Sequence, residues 1–115
     1  MSEAPKINWQ GKSGKNYVYW IYPIGHRFGK ADGNYIFAKV DSKNQWLPIY
    51  FGEGDLETRP TDQHHQWDCV KGKEATHIHA HTNAKEQDRL DEENDLLANY
   101  SQAYAPNGCN IKEGG

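Results

Sequence analysis

Cysteine is scarce in this chain of 115 residues: there are two, Cys69 and Cys109, and no C-x-x-C pair. A thiolate zinc knuckle is thereby excluded. Two cysteines so far apart in sequence do not read as a disulfide framework, so both are expected to be reduced. Long apolar runs are missing as well, none approaching the ~18 residues that suggest a membrane span, and no membrane partner is expected. A basic excess is missing too, with 13 Lys and Arg against 16 Asp and Glu and a formal charge of −3. Sequence-independent affinity for nucleic acid comes from neutralising phosphates with many Lys and Arg, so a chain of this balance that acts on DNA or RNA does so locally or with a partner protein. The opening residues, Met1-Ser2-Glu3-Ala4-Pro5, have neither the basic nor the apolar region of a signal peptide. The expected location is cytoplasmic.

What is plentiful is aromatic: four Trp and seven Tyr in a chain sparse in Leu, Ile and Val. The length suits one domain with a modest core built largely on rings. Residues 1–16 are polar and turn-rich and read as a flexible N-terminal arm, 17–110 as the domain, and 111–115 as a C-terminal tail. Tyr17 to Tyr22 is β-branched and aromatic and Pro23 stops it, which predicts an edge strand. Residues 34–40 and 46–51 form a hairpin around Asp41 to Gln45, and 76–82 alternates as a further strand. Pro60 breaks the chain after one helical turn capped by Asp55, and a second short helix opens at Thr61 or Asp62 and ends at Gly72. Asn83, with Glu86 three residues on, caps the longest helix, which runs to about Tyr104. The class expected is α/β in the α+β sense: an antiparallel sheet of three to four strands flanked by helices.

The chain is organised around Pro48-Ile49-Tyr50-Phe51-Gly52-Glu53-Gly54-Asp55-Leu56-Glu57-Thr58-Arg59, a strand that runs into a glycine-broken turn and leaves it with an arginine. Gly52 and Gly54 permit a sharp turn and close approach of a ligand. Together with Gly33-Asn34-Tyr35, Glu93 in Glu93-Asn94-Asp95-Leu96-Leu97, and Pro106-Asn107-Gly108-Cys109-Asn110, it resembles the GIY-YIG nuclease domain over most of the chain, with all five pieces in the family's order. The resemblance implies phosphodiester hydrolysis in DNA, ahead of RNA, with one Mg2+ or Mn2+ ion. It implies Tyr35 as general base, Tyr50 orienting the attacking water, Arg59 on the phosphate, Glu93 on the metal, His64 or His65 lining the site beside Gly52, and Asn110 binding backbone or orienting the glutamate. Direct opposition of Tyr35 and Tyr50 needs a hairpin midpoint between Ser42 and Lys43, inside the loop, so the expected register has no bulge.

Helical periodicity bears on Glu93 independently. Stepping ~100° per residue, Leu90, Leu97, Tyr104, Glu93, Tyr100 and Leu96 fall in one stripe, with Asp88, Asp91, Glu92 and Asp95 opposite, toward solvent. A carboxylate within a buried stripe needs a partner, either a metal or Arg89 one turn earlier. Two other functions fit the same residues. The fold can serve as a non-catalytic nucleic-acid or protein binding module, which the acidic balance favours. His77, His79 and His81 also share one strand face, the arrangement of several transition-metal sites.

Overall fold

Alternation of apolar and polar residues places five strands. The computed structural model describes residues 4–111. In chain order the elements are β1 (Lys6–Gln10), β2 (Asn16–Pro23), β3 (Asp32–Val40), β4 (Trp46–Asp55), α1 (Trp67–Gly72), β5 (His77–Thr82) and α2 (Glu86–Asn99), with a 3-10 turn at Ser101–Ala103. The sheet is antiparallel throughout, in the order β1-β2-β5-β3-β4. It is an α+β domain of the expected kind, with five strands in place of three to four. No helix among the described residues is long and apolar enough to cross a membrane.

Interior strand β3, between β5 and β4, explains the two-sided core. Every residue from Gly33 to Ala38 is buried, and alternate side chains enter different clusters. Ile36 and Ala38 join Trp9, Tyr19, Phe51, Leu96 and Leu97 on the α2 face, whereas Tyr35 and Phe37 join Ile49, Leu56, Val70 and Ile78 on the α1 face.

Residues 6–10 are not part of a flexible arm. They form β1, paired to β2 from Lys6↔Trp20 to Gln10↔Asn16, and β2 consequently lies inside the sheet instead of at its edge. The reason is the alternation Ile7, Trp9 against Lys6, Asn8, Gln10. Trp9 is buried edge-on to Phe51 and Tyr100, and its Nε1–H donates to His79 Nδ1 at 3.0 Å. Of the expected tail, Ile111 is exposed and 112–115 lie outside the described residues.

Both helices begin later than their sequence signals suggest. Helix α1 opens at Trp67 after a series of turns, and α2 opens after Lys85, with no side-chain cap. Asn83 does not cap α2, because the helix opens two residues later, after Lys85; its Nδ2–H donates instead to Asn34 Oδ1 (3.2 Å) and Glu92 Oε1 (3.5 Å). The helix is also rotated from the apolar-stripe reading. Its buried residues are Arg89, Glu92, Leu96 and Leu97, while Leu90 is exposed. The underlying strands supply the reason: Glu92 accepts a short hydrogen bond from the Tyr19 hydroxyl and meets His81 Nε2 at 2.7 Å. Burying that carboxylate satisfies two strand side chains that a leucine would leave unpaired.

The outer edge of β4 is covered by the chain's end, which blunts an otherwise unpaired strand. Asn110 clamps Phe51, its Oδ1 accepting from the Phe51 N–H and its Nδ2–H donating to the Phe51 carbonyl, both at 2.9 Å. Cys109 N–H donates to the Ile49 carbonyl at 2.8 Å. Cys109 is bonded to Cys69 of α1, so the expectation of two reduced cysteines is overturned. Folding brings their Cα atoms to 5.9 Å across 40 residues of sequence, a proximity that spacing does not reveal.

Candidate functional site

Tyr35 and Tyr50 face α1 from adjacent strands, but not in direct opposition. The ladder pairs Tyr35 with Gly52 and Phe37 with Tyr50, then shifts between Phe37 and Ala38, leaving Ile49 as an extra residue in β4. This bulge makes the two tyrosines diagonal neighbours, and their rings stack with centroids 6.2 Å apart and planes at 26°. Gly52 is what allows Tyr35 to cross β4, since a Cβ there would stand 2.3 Å from the Tyr35 Cζ.

The segment between β4 and α1 closes over these rings. Asp55 caps a single helical turn as its sequence suggests: its Oδ1 accepts from Glu57 N–H at 3.1 Å and its carbonyl accepts from Arg59 N–H at 2.9 Å. Buried Pro60 then ends the turn, and further turns bring His64 down onto the pair. His64 Nε2 lies 2.7 Å from the Tyr35 hydroxyl, and Nδ1 accepts from Gln66 N–H at 2.9 Å. With Nδ1 occupied as an acceptor, the proton of the neutral ring sits on Nε2, which donates to the phenol oxygen. His65 stacks on His64 with centroids 4.4 Å apart, and its Nε2 reaches the Tyr50 hydroxyl at 3.5 Å.

Arg59 is exposed at the rim of this cluster. Gly54 has φ +133 and presents its bare face to the arginine, the Nε standing 3.1 Å from where a Cβ would be. The guanidinium charge acts on Tyr35, Tyr50 and His64. Burial first, then His65 and Arg59, holds the His64 pKa down at about 4. Burial likewise raises both phenols, Tyr50 to about 12 and Tyr35 further. The carboxylates of Glu93 and Glu53 add to that rise, and Arg59 opposes it.

The predicted residues thus fall into two groups. Tyr35, Tyr50, Gly52, Arg59, His64 and His65 share the α1 face of β3 and β4. Glu93 belongs to α2, half-buried, and is connected to them by its field at both phenols. Asn110 acts on backbone, through Phe51. Arg89, the expected neutraliser of Glu93, is ion-paired to Glu53 at 2.8 Å. Glu53 was not singled out in the sequence, although its place between Gly52 and Gly54 was a usable signal.

No group of three or more His, Cys, Asp or Glu side chains that could hold a metal occurs among the described residues. An ion here would rest on Glu93, with water and phosphate oxygens completing its shell. Among the expected residues this is one carboxylate, the protein contribution with which magnesium can be held when waters and substrate phosphate complete its shell. The three strand histidines are engaged separately: His77 Nδ1 with the Thr76 hydroxyl at 2.8 Å, His79 Nδ1 with Trp9, and His81 with Glu92.

In comparisons with known proteins, the chain matches no family model, no curated protein and no solved structure.

Proposed function

We propose that the cluster under Arg59 hydrolyses phosphodiester bonds in nucleic acid, DNA ahead of RNA, in the manner of the GIY-YIG nucleases that the sequence resembles. The observation carrying this reading is the meeting of two stacked phenols, a neutral imidazole and an exposed guanidinium at one rim.

Each group has a task in such a reaction. Arg59, free to present its planar fork, holds the phosphate and offsets charge on the leaving oxygen. The Tyr50 hydroxyl orients water. Tyr35 takes the water's proton, for which its phenol must first be ionised. Donation from His64 Nε2–H to the Tyr35 oxygen stabilises that phenolate, and the Arg59 charge works in the same direction. A divalent ion held by Glu93 would cancel the carboxylate's upward push on the phenols and neutralise phosphate charge.

A second reading, a non-catalytic binding module, is favoured by the acidic balance of the chain and by burial, which moves both phenols further from ionisation than an ordinary tyrosine. Un-ionised tyrosines beside an arginine bind phosphate as hydrogen-bond donors without attacking it. Incubation with Mg2+ and supercoiled plasmid or branched DNA separates the two. Nicked circles or resolved branches support hydrolysis, and binding without strand breaks supports the module.

The expected cytoplasmic location rested on the opening residues, and the Cys69–Cys109 bond is the observation that weighs against it. Structural disulfides persist in oxidising compartments.

A further inference from the structure

A groove of about 300 Å³ runs beside the cluster, between the β2–β3 connection and the segment leading into α1. One wall carries His26 and Arg27, and the other carries Pro60, Thr61, Asp62 and Trp67. We infer that this groove is a subsite for one unpaired nucleotide adjoining the phosphate at Arg59, with its base against Trp67 and His26 and its own phosphate on Arg27. The inference deepens the proposed hydrolysis by naming the substrate as nucleic acid with a single-stranded segment at the cut.

Four observations support it. First, the groove and the cluster share a segment: Pro60 and Thr61 of its lining directly follow Arg59 in the chain, and Trp67 N–H donates to the His64 carbonyl at 2.9 Å. Second, its aromatic walls are held in place. The His26 ring stacks on Tyr22 (centroids 4.2 Å, planes at 23°) with Phe28 edge-on at 4.7 Å. Trp67 packs on Phe37, which also touches Tyr50 and His64. Third, the first wall is set by a tight turn, with His26 N–H donating to the Pro23 carbonyl at 3.1 Å and Gly25 at φ +98, which places His26 and Arg27 in the groove lining. Fourth, its volume is at the lower end for small-ligand sites.

Chemistry selects the occupant. Aromatic faces with an arginine are how single strands are bound without sequence preference. A base can enter such a groove only when it is free of its own stack, which excludes an intact duplex. Asp62 opposes a phosphate at this place and keeps the site weak, in line with the acidic balance of the whole chain.

The test is anisotropy titration of a fluorescein-labelled ten-nucleotide oligothymidylate with the full chain in EDTA, so that binding is read without cleavage. Arg27→Ala is expected to weaken binding about tenfold and to reduce the slope of log K against log salt by about 0.7. Asp62→Asn is expected to tighten binding about threefold, and duplex competitor is expected to displace the strand poorly. Trp67→Phe, which keeps a ring in the core, is expected to weaken it about threefold. Affinity and salt slope unchanged in Arg27→Ala and Asp62→Asn would overturn the subsite. So would equal competition by duplex, or no binding by the unmodified chain. Arg27-dependent binding without any plasmid nicking retains the subsite and rejects hydrolysis. Nicking with binding that ignores Arg27 does the reverse.

Discussion

His64 donates its Nε2–H to the hydroxyl of Tyr35 across 2.7 Å, while its other nitrogen is tied to the backbone of Gln66. The pairing fixes the imidazole as a neutral donor and leaves the phenol's own proton free to point elsewhere. A second histidine is held in a comparable state: His79, fully buried, accepts from Trp9 at Nδ1, and its ring stands edge-on to Trp46 at 4.6 Å. His79 Nε2 has no hydrogen-bond partner among the described residues.

These two histidines predict an acid weakness above the carboxylate range. Both are held down at about 4 in the folded protein, against about 6.5 unfolded. A folded value below the unfolded one means that the unfolded chain binds the extra protons. The stabilisation is therefore complete above pH 6.5 and is lost as pH falls from there through 4, by up to about 3 kcal/mol per histidine. Urea denaturation at half-unit pH steps should show a flat region above 6.5 and a decline beneath it. His79→Gln, which keeps an acceptor for Trp9, should flatten part of that decline; an unaltered slope would contradict the assignment.

Adjacent glutamates on α2 should separate stability from activity. Glu92→Ala strands the Tyr19 hydroxyl and His81 and should cost about 2–4 kcal/mol, measured as a lowered denaturation midpoint. Glu93→Ala should cost about 1 kcal/mol or less and abolish magnesium-dependent nicking. A stable Glu92→Ala, or a nicking Glu93→Ala, would contradict the roles given to them.

How much of this was legible in the sequence depended on whether the signal was local. Strand alternation and glycine-broken turns gave four of the five strands and the Asp55 turn to within a few residues. The hairpin loop was also right, but its register was not: the strands leave the loop as Val40↔Trp46, one residue off the expected pairing, and the bulge at Ile49, which carries no signal of its own, adds a second. Strand β1 was missed because five residues of weak alternation sit among turn formers. What rescues them is Trp9 reaching Phe51, Tyr100 and His79, which are distant in sequence. The face of α2 was misread for a related reason: apolar periodicity assumes an apolar partner, and the sheet beneath offers Tyr19 and His81. That Tyr35, Tyr50 and Arg59 lie together was legible through their glycines. The pairing of His64 with Tyr35 was not, since it depends on turns after Pro60 that spacing does not fix.

Gly52 supports a test of the Tyr35–His64 pair. A methyl at this position would fall 2.3 Å from Tyr35 Cζ and 2.5 Å from its oxygen, so Gly52→Ala must push the ring off His64. The expected cost is about 1–3 kcal/mol from overpacking. NMR titration should then show His64 moving up from about 4 toward its ordinary value as the site opens. An unmoved titration would mean that Tyr35 does not help to close the site over His64.

The Cys69–Cys109 bond closes 40 residues and anchors the segment that carries Asn110. Replacing both cysteines by serine should lower stability by about 2–4 kcal/mol. Hydrogen exchange at the Phe51 amide, which Asn110 protects, should quicken more than exchange at Trp9 in β1. Uniform quickening would indicate that the bond stabilises the fold without specially guarding the β4 edge.

The most direct measurement is the rate of magnesium-dependent nicking of supercoiled plasmid by the unmodified chain, by Arg59→Ala and by Tyr50→Phe, each first shown to be folded by its denaturation curve. The account predicts measurable nicking that stops with EDTA and falls about 10²- to 10³-fold in either variant, the range seen when one charge-stabilising or orienting group is removed. Folded protein that never nicks DNA, or nicking undiminished in both variants, would contradict it.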